Sequence, residues 1–232
     1  MIDPPGSLQF CPVGDSALLV TFGDGIDVEI NRRVHRLSYR LIDKSVLGVI
    51  EAVPAYCSLL VHYDPLVMEY PTVLDFVSAL AKDPGGSSYY QPRRVDIPTV
   101  YGGEFGPDLV FVAGYHHLTP QEVIRIHTGV DYQVYMLGFT PGFAYLGGLD
   151  AVIATPRLEK PRTRIPAGSV GIAGAQTGIY PLETPGGWRI IGRTTLRMFD
   201  PLAEPPVRLA PGDLVRFIPI TPDEVESVTG CP

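Results

Sequence analysis

Between positions 157 and 164 four cationic side chains, Arg157, Lys160, Arg162 and Arg164, crowd into eight residues with Glu159 as the local counter-charge. An arginine fork takes carboxylate or phosphate through two parallel hydrogen bonds, so the pattern points to an anion site. Arg162 is assigned a catalytic part there and Arg157 a binding one; a solvated basic loop is the competing reading. Just upstream, "GFTPGFAYLGG" offers Gly138, Phe139, Pro141, Gly142 and Phe143, a stiff turn able to present main-chain groups and rings to a planar ligand or to pack as a hydrophobic corner. Just downstream, Gly168 and Ser169 in "PAGSVGIAG" and then Gln176 and Tyr180 add hydrogen-bonding groups, with ordinary strand positions as the alternative for the last two. His127 has the intrinsic pKa of a general base, yet it also ends a short helical pattern, where the helix dipole favours it for structural reasons. Trp188, the single tryptophan, reads as a core residue closing one end of a barrel.

Several chemistries are excluded. The glycine-rich stretch around Ser169 is neither a P-loop nor a strand–GxGxxG–helix unit, and no histidine adjoins Ser169. His116 and His117 are neighbours and cannot form a helical metal pair, and Cys11, Cys57 and Cys231 have no ligand spacing, so no metal site is expected. A net charge of −7 argues against nucleic-acid binding. The N-terminus lacks the basic and apolar regions of a signal peptide and no run is long enough to span a membrane, which leads to an expectation of a cytoplasmic location. No nucleophile, base and orienting group stand together in a recognisable pattern, so the chain is expected to supply part of a site that a partner completes.

The blocks "GFTPGFAYLGGLD", "PRTRIPAGSVGIAG", "QTGIYP" and "TPGGWRIIGRT" resemble the signature segments of one bacterial family. It is known variously as the B-type subunit of 5-oxoprolinase, the KipI-type sensor-kinase inhibitor and the first subunit of allophanate hydrolase. "PTVYGGEFGPDL", "LTPQEVIRIHTG" and "PGDLVRF" fit as well, so the resemblance runs from about Asp15 to Phe217. Ala144 departs from it, since many members carry proline there. The resemblance implies a cyclophilin-like barrel and a place in an ATP-dependent complex that opens 5-oxoproline to L-glutamate. Its implied partners are a paralogous C-type (KipA-like) subunit and an A-type LamB/YcsF subunit; inhibition of a histidine kinase and a carboxyltransferase role in urea or allophanate metabolism are the alternatives.

The elements that must hold these residues follow from pattern. Glycine and proline make up 49 of 232 residues, roughly 21% against a usual ~12%, which favours a turn-rich β-structure in the second half. "DSALLVTF", "GVIEAVP" and "CSLLVHYD" read as strands; a helix follows Asp27, with Val28, Val34, Leu37, Leu41 and Ile42 on its apolar face, and another begins at Pro71. That β-α-β-β-α order suggests a ferredoxin-like domain once a final strand is added. A Gly/Ser/Pro-rich linker is expected at residues 83–92 and "RRVDIPTVY" is a strand beyond it. A capped helix from Thr119 to about His127 precedes short β-runs: "YQVYMLGF", "SVGIAG", "TGIYPL", "WRIIG", "LRMF" and "DLVRFIPI". The expected fold class is therefore α+β, a small ferredoxin-like α/β domain over residues 1–90 and a β-barrel domain over 91–232.

Overall fold

The computed structural model describes residues 8–83 and 92–224; most of the expected linker, and Cys231, lie outside the described residues. The chain divides into two compact units, Met1–Pro92 and Arg93–Pro232.

In the first unit, strands β1 (Gln9–Val13) and β2 (Ala17–Thr21) lead into helix α1 (Val28–Asp43), followed by β3 (Val49–Pro54), β4 (Ser58–Tyr63) and helix α2 (Tyr70–Lys82). The Asp27 carboxylate accepts from Ile30 N at 2.9 Å and so caps α1 as its position suggested. Val34, Leu37 and Leu41 are buried against Leu18, Val20, Leu59 and Val61 of the sheet, while Ile42, expected on that face, is 63% exposed because it sits one step off the stripe. Asn31 takes a buried place on the same helix and donates to Ala55 O and Tyr56 O at 2.9 and 3.1 Å, tying α1 to the β3–β4 turn. The sheet order is β1-β2-β4-β3, antiparallel throughout. The edge place that a ferredoxin-like chain fills with a strand after its last helix is here filled by β1, which comes from before the first strand.

The second unit opens with β5 (Arg94–Tyr101), α3 (Leu109–Tyr115) and α4 (Pro120–Thr128), then β6 (Tyr132–Leu137) and β7 (Ala144–Gly147). It continues through β8 (Arg162–Ile165), β9 (Ser169–Ala173), β10 (Gln176–Ile179), β11 (Thr184–Gly186), β12 (Arg189–Arg193) and β13 (Leu214–Ile220). Seven of these strands close a barrel in the order β10-β7-β6-β13-β5-β12-β9, and β8 with β11 makes a separate ribbon. All barrel pairs are antiparallel except β13 with β5, a parallel pair of strands 120 residues apart that joins the two ends of the unit. Closure leaves no free sheet edge in the barrel. Its interior is filled by Ile97, Tyr132, Val134, Leu146, Ile172 and Phe217, with Leu109, Val112 and Val123 of α3 and α4 packed onto it.

Helix α4 has a complete capping box: Thr119 Oγ1 accepts from Glu122 N and the Glu122 carboxylate accepts from Thr119 N at 2.7 Å. Two features differ from the sequence expectation. "LRMF" forms no strand: Phe199 makes an isolated bridge with Val207, and the segment closes through Arg208 N to Met198 O at 3.0 Å, since the prolines that follow cannot donate to a ladder. The unexpected α3, from the β-prone run "LVFVAGY", forms because Leu109, Val112 and Ala113 share one buried face at helical spacing.

Candidate functional site

Three rings and one indole meet where the β8–β11 ribbon approaches the ends of β7, β10 and β12. Phe143 sits edge-to-face with Trp188 at 5.4 Å, with Tyr180 at 5.2 Å and with Tyr145 at 4.9 Å between ring centroids. Gly186 is required for this: a Cβ there would lie 2.4 Å from the Tyr180 hydroxyl. The rings wall a pocket of about 270 Å³ that Phe139, Arg157 and the ribbon prolines complete. Within it the Arg157 guanidinium carbon lies 5.9 Å from the centre of the Trp188 ring. No carboxylate stands within 4 Å of Arg157 among the described residues, so its charge is free for a ligand. Burial pushes the Tyr180 phenol up to about 12, which keeps it a neutral donor.

The loop over this pocket holds Phe139 at φ 64, a left-handed conformation unusual for an aromatic residue. Its turn is closed by Gly138 N to Phe143 O at 3.1 Å and Phe143 N to Thr140 O at 3.0 Å, and the Phe139 ring is 61% exposed. Gly138, Pro141 and Gly142 border a shallow hollow on the outer side of the same loop.

The two residues expected to be catalytic, Arg162 and His127, stand outside this pocket and take other parts. The Arg162 fork is occupied by Asp108, with Nη2 donating to Oδ1 at 2.7 Å and Nη1 to Oδ2 at 2.9 Å. Asp108, 6% exposed, also accepts from Ile190 N at 2.6 Å, so the pair fastens the start of α3 and the ribbon to β12. Arg162 therefore buttresses the site, because its bidentate geometry is already used within the chain.

His127 is fully buried in the barrel interior. Thr177 Oγ1 donates to Gly171 O at 3.0 Å, so it accepts from His127 Nε2, 2.9 Å away; Nδ1 then accepts from the Tyr101 hydroxyl at 2.8 Å. Burial pushes the imidazole pKa down to about 3. A general base must reach a substrate proton, and this ring has neither exposure nor a free nitrogen, which corrects its catalytic assignment.

Gly168 and Ser169 line two further clefts, and Gln176 pairs with Ala173 outside the aromatic pocket. Arg164 binds Glu183 at 2.7 Å on the surface. The structure thus brings together Phe139, Phe143, Arg157 and Tyr180 of the expected residues and adds Tyr145 and Trp188. Trp188, read from sequence mainly as core with only a ring edge toward a site, is 5% exposed and lines the pocket. Asp108 lies in the quoted block "PTVYGGEFGPDL", but nothing in the sequence couples it to a residue 54 positions on. Among the described residues no group of three or more His, Cys, Asp or Glu side chains is placed to hold a metal.

Residues 8–209 match the family "carboxyltransferase domain, subdomain C and D". The B-type subunit of 5-oxoprolinase from Bacillus subtilis (strain 168) is 46% identical over 228 residues, covering 92% of this chain and 93% of the relative. The chain belongs to the family of 5-oxoprolinase B-type subunits. The corresponding 5-oxoprolinase chain of Escherichia coli O157:H7 is 42% identical over 211 residues, covering 89% of this chain and 94% of its own. The crystal structure of TTHA0988 superposes with a TM-score of 0.78 at 38% identity over 88% of this chain, which spans 40% of that longer one. The α+β architecture is thus shared, and the family resemblance read from the signature blocks is borne out over nearly the whole chain. No helix among the described residues is long and apolar enough to cross a membrane.

Proposed function

We propose that this chain is the B-type subunit of an ATP-dependent 5-oxoprolinase complex and that the aromatic pocket around Arg157 receives the substrate. The observation that carries the pocket's part is the combination of an unpaired guanidinium with an aromatic, apolar lining. 5-Oxoproline is a small planar lactam bearing one carboxylate; the exposed Phe139 ring and the apolar lining match its ring and Arg157 its charge. The lactam carbonyl is resonance-stabilised, so its oxygen is phosphorylated by ATP to make the carbon electrophilic. Water adds there, the ring C–N bond breaks with the nitrogen leaving as the amine, and the phosphoryl group departs as inorganic phosphate. The neutral Tyr180 hydroxyl contributes a donor beside the site of developing charge.

Among the described residues the pocket holds no nucleophile paired with a base, and His127 is sealed in the barrel. The remaining groups come from partner subunits, a paralogous C-type chain and an A-type LamB/YcsF chain. Co-expression with those partners should give 5-oxoproline-dependent ATP hydrolysis that the isolated chain lacks. A complex without that dependence would overturn the reading, as would full turnover by this chain alone.

A further inference from the structure

A second concave surface on the barrel unit remains unexplained by the substrate pocket. It is a cleft of about 730 Å³ that combines apolar groups (Leu182, Phe199) with Arg193 and Thr195, and it adjoins a smaller cleft of about 180 Å³ through the shared residues Phe105 and Arg193. Gly168 borders the wide cleft: at φ +81 it lies so close to the residue after β12 that a Cβ would stand 2.1 Å from Thr194 O.

The charges around these clefts are nearly all spoken for. Arg162 is held by Asp108, Arg164 by Glu183 and Arg197 by Asp200 at 2.8 Å. Arg193 alone of these four has no carboxylate within 4 Å among the described residues; Glu104 borders the smaller cleft without pairing to it. Its guanidinium is steadied over the Phe105 ring, 4.5 Å from the centroid, which fixes the fork in place while leaving its N–H groups unspent. A free, pre-positioned arginine beside an exposed threonine hydroxyl suits a phosphate group, and the volume suits a ligand larger than the substrate lactam.

We propose that this cleft is an anion site for the phosphate chain of ATP, with Arg193 as the binding cation. The proposal rests on the reading of the chain as part of an ATP-dependent 5-oxoprolinase. It assigns substrate and nucleotide to two different arginines, Arg157 and Arg193.

The test measures equilibrium binding of ATP to the assembled complex without 5-oxoproline, and then KM for each ligand. Arg193→Gln, which keeps the stem on Phe105, should weaken ATP binding about 10- to 100-fold and leave KM for 5-oxoproline unchanged. Thr195→Glu, at an exposed position, should weaken ATP binding through repulsion without disturbing packing. Unchanged ATP affinity in both variants overturns the site even if the complex is active, whereas loss of 5-oxoproline-dependent hydrolysis in the unmodified complex overturns the functional reading instead. Loss of subunit assembly with ATP affinity intact would make the cleft a protein contact and sink the proposal. Inorganic phosphate competing as strongly as ATP would show a phosphate subsite alone and sink the nucleotide assignment.

Discussion

Around His127, an imidazole and the hydroxyls of Tyr101 and Thr177 close on one another inside the barrel, and the Tyr132 hydroxyl donates to the His127 carbonyl at 2.7 Å. Around Arg157, aromatic rings again surround a polar group, but no carboxylate from the described chain satisfies it. The first arrangement spends every hydrogen bond internally and suppresses ionisation; the second keeps a permanent charge at a half-open surface. Burial and saturation mark a group that specifies the fold, and an unspent donor in a pocket marks one that can act on a ligand. Arg162 shows the same distinction within five residues of Arg157, since Asp108 takes up its fork.

The largest effect is expected of Asp108→Ala. It removes the Arg162 pair and the acceptor for Ile190 N, and should cost about 2–4 kcal/mol of stability in denaturant unfolding. Unaltered stability would show that Arg162 is not a structural buttress. Arg157→Ala should do the reverse. Its melting temperature should stay put while kcat/KM of the reconstituted complex falls about 10- to 150-fold, the equivalent of one lost charge-assisted contact. A variant with wild-type turnover would remove Arg157 from the substrate site.

His127 should reveal its burial through the pH dependence of stability. Its folded pKa of about 3 lies below the ordinary 6.5, so the unfolded chain takes up a proton that the folded chain refuses. The stability this group contributes is complete above 6.5 and is lost as pH falls toward 3. Relative to His127→Gln, the native chain should lose about 1.4 kcal/mol for each pH unit in that window. Parallel stability curves for the two proteins would contradict a neutral buried imidazole. The smallest effect is expected of Phe139→Gly. Relief of the left-handed backbone, about 1 kcal/mol, offsets the lost edge contact with Phe143 at 5.5 Å, so the melting temperature should hardly move. KM for 5-oxoproline should rise a few-fold if the ring covers the pocket; a lower melting temperature with an unchanged KM would make Phe139 a packing residue.

Local structure was readable where a few neighbouring residues decide it. Asp27 caps α1, Thr119 and Glu122 form their box, and Pro71 and Pro120 sit in the first turns of their helices, because capping is settled within one turn of chain. The repeated glycine and proline blocks likewise announced the barrel loops. What neighbours cannot decide is which distant group arrives. Placing β1 at the sheet edge, pairing β13 in parallel with β5, setting Asp108 against Arg162 and turning His127 inward toward Thr177 each join residues far apart in the chain. Such pairings depend on how the whole barrel closes, so residue type and spacing identified the candidates, and tertiary burial decided that Arg157 stays free while Arg162 and His127 are spent on the fold.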